Sequence, residues 1–174
     1  RLQRFMDEHI YPNEEAYAHQ LKTAENRFAP LPLMDELKLK AKEAGLWNLF
    51  VPEEHAEYCD HGGLSFFDYA PLAEIMGRVI WCPEVFNCNA PDTGNMEVFM
   101  NFATEAQQRE WLDPLLAGDI RSSYAMTEPQ VASSDATNVE LRIEKDGNEW
   151  VLTGHKWFIT NAMYERTKIL IVMG

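Results

Sequence analysis

Two short polar groups, Thr127-Glu128-Pro129 and Ser133-Ser134-Asp135, share one loop between runs that alternate like sheet. Tyr124, Ala125 and Met126 end the first run. Pro129 has no N–H for a ladder, so strand pairing stops there. Glu128 before it is pushed into extended backbone. The amides beyond Met126 are then free for another partner, and Thr127 adds a hydroxyl that donates and accepts. Ala132, Ser133 and Ser134 are small enough to let a bulky ligand reach the main chain. Their hydroxyls and amides can hold a phosphate without a basic residue. The set suits a flat, polar-edged heterocycle with a diphosphate tail. The same residue types also make ordinary capped turns.

A second segment, "GHKWFIT", bears on that choice. Read as a strand, it sends Trp157 and Phe158 to opposite faces, one toward the core and one toward a ligand ring. Thr160 then lies on the side of Phe158. Aromatic residues in strands also serve plain sheet packing. Other constellations are weaker. His55, Cys59 and His61 share a charged loop but lack metal-ligand spacing, so no metal is expected. Cys82 and Cys88 read as buried thiols, and His155 as a solvated strand end.

The elements that must position these residues fall into two textures. Up to about residue 120 the pattern is helical. Phe5, Ile10 and Leu21 are candidate anchors of a first run that Pro12 interrupts. Leu33, Leu37, Ala41 and Ala44 recur at helical spacing, with Gly45 as a stop and Lys38, Lys40 and Lys42 expected on the outer side. Ser65 and Asp68 form a capping pair before Leu72, Ile75, Met76 and Val79, with a kink or late start expected at Pro71. A short helix follows over 94–103. Thr104 caps the next, with Gln107 in the reciprocal position, Trp111, Leu112, Leu115 and Leu116 as its buried face and Gly118 at its end. From Arg121 the period becomes two. Asp146-Gly147 marks a hairpin, and "KILIVMG" is a further strand. The fold class is α+β: an all-α domain over 1–120, then the first strands of an antiparallel β-domain over 121–174.

Composition excludes several classes. The net charge of −13 argues against a nucleic-acid partner. No apolar run is long enough to span a bilayer. Three unpatterned cysteines fit a reducing, intracellular compartment. The opening residues, Arg1-Leu2-Gln3, lack an initiator Met, as in a chain cut from something longer.

"YAMTEPQVASSD" followed by "GHKWFITNA" strongly resembles the acyl-CoA dehydrogenase family, and "AGLWNLFVPEE", "YAPLAEIMG" and "ATEAQQREWLDPLLAGDI" resemble its N-terminal domain. "APDTGNMEVF" and the glycine-poor loop look like the branch that also occurs fused to kinase-like domains. The resemblance implies FAD and α,β-dehydrogenation of an acyl-CoA thioester. It implies that Tyr124, Ala125, Met126, Thr127, Ser133 and Ser134 line the flavin, with Ser134 also meeting the CoA part of the substrate. Phe158, Ile159 and Thr160 would cover the flavin's other side, Phe158 standing where many members have Trp. Gly94 and Asn95 would flank the acyl chain, although Asp92 or Thr93 as a plain helix cap explains that stretch equally. The family's catalytic carboxylate lies in a C-terminal helical domain, so no catalytic residue is expected in this chain. An electron-transfer flavoprotein and a homo-oligomer, dimer or tetramer, are the implied partners. A non-catalytic module of the same fold, or an oxidase-type relative, remains as an alternative.

Overall fold

In the computed structural model, which describes residues 1–174, the chain opens with one helical run. It comprises α1 (Leu2–Phe5), a π turn (Met6–Ile10), a 3₁₀ turn (Tyr11–Asn13) and α2 (Glu14–Thr23). Pro12 lies in the 3₁₀ turn, where its missing N–H costs a tight turn little. Phe5 and Ile10 are buried. Leu21 is not an anchor: it is 45% exposed. Helix α2 buries no residue fully and touches the body through Tyr17, whose ring stacks on Trp81 at 4.5 Å.

Helix α3 (Pro32–Glu43) buries Leu33, Leu37 and Ala41, and Gly45 turns the chain away at φ +63°. Its lysines do not all face outward. Lys38 is buried, and its ammonium meets Glu84 Oε1 at 2.7 Å. The reason is positional: residue 38 lies a turn from both Met34 and Ala41, on the apolar side.

Helix α4 (Phe66–Met76) starts where Ser65 Oγ accepts the Asp68 N–H, and it runs through Pro71 without ending. The carbonyl that Pro71 leaves without a helical donor belongs to Phe67, which is exposed, so water can serve it. Helices α5 (Cys82–Val85) and α6 (Asp92–Phe102) follow. In α7 (Glu105–Gln107) the Thr104–Gln107 capping box is complete. After a π turn, α8 (Asp113–Ala117) ends at Gly118 with φ +76°. A Cβ at that glycine would come within 2.6 Å of the Trp47 ring. One core of 24 buried residues joins these helices, from Leu2 to Leu115.

The strands are β1 (Arg121–Ala125), β2 (Arg142–Asp146), β3 (Glu149–Thr153) and β4 (Thr167–Val172). β2 and β3 form the expected antiparallel hairpin, with Gly147 at φ +59° in its turn. β1 pairs with β4 in parallel, Ser122 opposite Ile169. The "HKWFIT" segment is not a strand: residues 155–166 are irregular and turn-rich. No helix is long and apolar enough to cross a membrane.

Candidate functional site

The site is built from the start of β1 outward. Asp92 does not cap its helix with its side chain. Its carboxylate instead accepts from Arg121 Nε, from the Ser122 N–H at 2.6 Å and from Ser122 Oγ. Asn95, one turn along α6, donates Nδ2 to Ser122 Oγ at 2.9 Å and to the Ser123 carbonyl at 3.1 Å. Arg121 also pairs with Glu84 at 2.6 Å, which holds Lys38 in turn. All but Glu84 are buried by whole-residue exposure. Burial alone would raise the Glu84 carboxyl and lower the Arg121 guanidinium. Their mutual attraction outweighs it, leaving Glu84 below its ordinary value and Arg121 above its own. Two carboxylates and two cations thus fix where β1 begins.

Beyond Ala125 the chain leaves the ladder, as Pro129 requires. Two features of the loop were not foreseen. Glu128 is buried, and its carboxylate accepts from Lys156 Nζ at 2.8 Å and from the N–H groups of Glu140 and Leu141, both at 2.8 Å. The Lys156 hydrogen bond first, then these amides, hold its carboxyl down to about 2. Ser133 is also buried. Its hydroxyl accepts the Glu128 N–H at 2.7 Å and donates to the Val131 carbonyl at 3.3 Å. Its oxygen therefore closes the loop, while Ser134 stays exposed.

The two motifs meet directly. Trp157 N–H donates to the Thr127 carbonyl at 3.0 Å, and Lys156 Nζ donates to the Met126 carbonyl at 2.8 Å. The expectation that Trp157 and Phe158 point to opposite faces of a strand is overturned. Phe158 takes a left-handed conformation, φ +51°, and the two rings lie 4.6 Å apart. A left-handed residue breaks strand alternation, so neighbours need not diverge. Phe158 is 83% exposed. Phe158, Ile159 and Thr160 line a cavity of about 600 Å³ with Trp157, Tyr164 and Phe28, the last from the chain between α2 and α3.

Of the residues singled out in the sequence, Met126 and Thr127 accept from that segment, while Tyr124 and Ala125 pair with Ile171 and Val172 of β4; Thr127 is exposed and Ala125 buried. Gly94 is exposed, with open space where a Cβ would stand. Asn95 is buried, with both Nδ2 contacts directed at β1. Sequence reasoning missed Asp92, Arg121, Glu128 and Lys156 as partners. The visible signal was a set of charged residues adjoining apolar positions, but their pairing spans 28 or 29 positions.

Residues 1–119 match the acyl-CoA dehydrogenase N-terminal domain and residues 123–174 the middle domain of the same enzymes. A helical domain leading into this strand-and-loop arrangement is the class of fold they define, and the chain belongs to the acyl-CoA dehydrogenase family. It is 49% identical over 177 residues to the probable acyl-CoA dehydrogenase FadE2 of Mycobacterium tuberculosis. It is 48% identical over 178 residues to acyl-CoA dehydrogenase family member 11 of Gallus gallus. The alignments cover all of this chain but only 42% and 22% of those proteins. The solved structure of a putative acyl-CoA dehydrogenase from Mycobacterium abscessus superposes with a TM-score of 0.89 at 46% identity. That match covers 98% of this chain and 43% of the other.

Proposed function

We propose that this chain supplies one wall of an FAD site in an enzyme that dehydrogenates acyl-CoA thioesters between the α and β carbons. The observation that carries the reading is the stitching of "YAMTEP" to "KWFIT" by the Trp157–Thr127 and Lys156–Met126 bonds. It leaves Thr127, Phe158 and Thr160 exposed on segments held in contact. Family members use FAD, which supplies acceptance of a hydride from the substrate's β-carbon. The residues fit such a group. Thr127 offers a polar edge, Phe158 a free aromatic face, and Ile159 and Thr160 line the cavity beside it. Tyr124, Ala125 and Met126 form the strand end that sets their height, and Ser134 is the exposed hydroxyl for a diphosphate or the CoA chain. Ser133 acts through the loop, by holding the Glu128 amide. Gly94 gives the acyl chain room, and Asn95 keeps α6 fixed against β1. The α-proton is taken by a base outside residues 1–174. We assign an electron-transfer flavoprotein as electron acceptor and a homo-oligomer as the working state. The domain boundary falls at residue 120.

The intact protein should purify with a flavin absorbance spectrum. Thr127→Val should weaken FAD binding by about 1 kcal/mol, roughly fivefold in Kd, through loss of one polar contact. An intact protein that stays colourless after reconstitution with FAD overturns this function.

A further inference from the structure

Away from that site, the loop between α3 and α4 brings a thiol and an imidazole together. His61 Nε2 lies 3.0 Å from the Asn48 carbonyl oxygen. A carbonyl only accepts, so Nε2 carries the proton and Nδ1 of the neutral ring is a bare acceptor. Nδ1 faces Cys59 Sγ at 3.7 Å, and the Gly63 N–H donates to the same sulfur at 3.2 Å. Moving the thiol proton onto His61 leaves no group unmatched. Both imidazolium N–H groups then have acceptors, and the thiolate keeps the Gly63 N–H and gains an ion-pair partner. The thiol's other acceptor, the Ala56 carbonyl at 3.7 Å, stabilises only the neutral form.

The surroundings hold this arrangement in place. Asn48 sits at φ +56°, buried, with its side chain tied to Leu116 and Asn87. The carbonyl that orients His61 is therefore fixed. Gly63 has φ +79°, and a Cβ there would come within 2.5 Å of Glu53 Cα. Only glycine can put that N–H on the sulfur. Cys59 and His61 open onto a cavity of about 690 Å³. The cavity is distinct from the one beside Phe158. Carboxylates of Glu57, Asp60 and Asp113 line it against the cations Arg1 and Lys42. Lys42 is already committed, donating to the Ala117 carbonyl at 2.6 Å and lying over Trp47. Such a lining favours a small neutral reactant over a bulky anion. The other two thiols offer nothing comparable. Cys82 and Cys88 are buried, and burial pushes both up to about 12. Nor do His55, Cys59 and His61 assemble as a metal-binding group.

We infer that Cys59 and His61 form a thiol–imidazole pair that reacts with a small neutral hydroperoxide. The sulfur attacks one peroxide oxygen, and an S–O bond forms as the O–O bond breaks. Sulfur gives up two electrons. The thiol proton passes through His61 Nδ1 to the departing oxygen, which leaves as water or an alcohol. The product is the sulfenic acid of Cys59.

The test treats the intact protein with hydrogen peroxide and traps sulfenic acid with dimedone, locating the label by peptide mass spectrometry. Cys59 should label first, and faster than the same cysteine in the denatured protein although it is half-buried when folded. His61→Ala should slow labelling about tenfold or more through loss of the proton acceptor. His61→Gln keeps a donor for the Asn48 carbonyl but cannot take the proton, so it should be as slow, with an unchanged thermal melt. Labelling of folded Cys59 no faster than in the denatured protein overturns the inference, and that comparison needs no variant. So does a His61→Gln protein that labels at the unmodified rate.

Discussion

The helical body and the strand region are held by different forces. From Leu2 to Leu115 a continuous apolar core does the work, with Phe86, Met6, Ile10 and Leu37 wholly buried. Past residue 120 apolar burial nearly vanishes. All ten residues of β2 and β3 are exposed, and Trp150 shows 62% of its surface. Polar clasps hold this region instead: Asp92–Arg121–Glu84, Glu128–Lys156, and Asp35 with a bidentate Arg166 at 2.6 and 2.7 Å. Apolar cores tolerate changes in pH and salt, whereas charged clasps respond to both. The segments proposed to meet the flavin therefore belong to the more adjustable part.

That contrast can be broken at its joint. Asp92→Ala in residues 1–174 leaves Arg121 and Ser122 buried without their shared acceptor. It should cost about 3–5 kcal/mol in urea unfolding. A loss below about 1 kcal/mol would show that the joint is solvated. Next comes the core itself. Leu37→Ala should cost about 2–4 kcal/mol by opening a cavity, and its effect should not change between low and high salt. A salt-dependent loss would contradict the division drawn here.

Acid should sharpen the same division. The Glu128 carboxyl is held at about 2, below its free value of 4.5. Its folded form is favoured fully above 4.5, and that contribution disappears as the pH falls toward 2. Tryptophan fluorescence followed from pH 5 to 2 should report loosening around Trp157, next to Lys156, before the helices melt by circular dichroism. Lys156→Met, which removes the partner, should flatten that early step. The smallest effect is expected on the hairpin. Trp150→Ala should stay within about 0.5 kcal/mol, because its ring packs against little in this chain.

Legibility followed the range of each interaction. The Ser65 cap, the Thr104–Gln107 box, Gly118 and the Asp146-Gly147 hairpin all rest on contacts a few residues apart, and all are present. The end of pairing ahead of Pro129 was legible for the same reason. Helical spacing alone puts Lys38 on the apolar side, but the partner that lets a cation stay buried there, Glu84, is 46 positions away. Asp92 reads as a cap at short range, but Arg121 and Ser122 claim it from β1. "HKWFIT" reads as a strand by composition. The Thr127 carbonyl that takes the Trp157 N–H, and the left-handed turn at Phe158, override that preference. The parallel partner of β1 was out of reach too, since the whole loop, the hairpin and the irregular segment lie between Ala125 and Thr167.

The bond between Arg166 and Asp35 spans 131 positions, and Asn26 reaches Glu165 across 139. Contacts that close such long loops form late, because the chain must give up its freedom before they return any stabilisation. The helices themselves form from neighbours in sequence, so their signal can rise while the last strand is still searching. Refolding should then show a fast rise in helical signal and a slower phase that ends when β4 docks on β1. Added salt should lengthen only the slow phase, as screening weakens the attraction that guides Arg166 to Asp35.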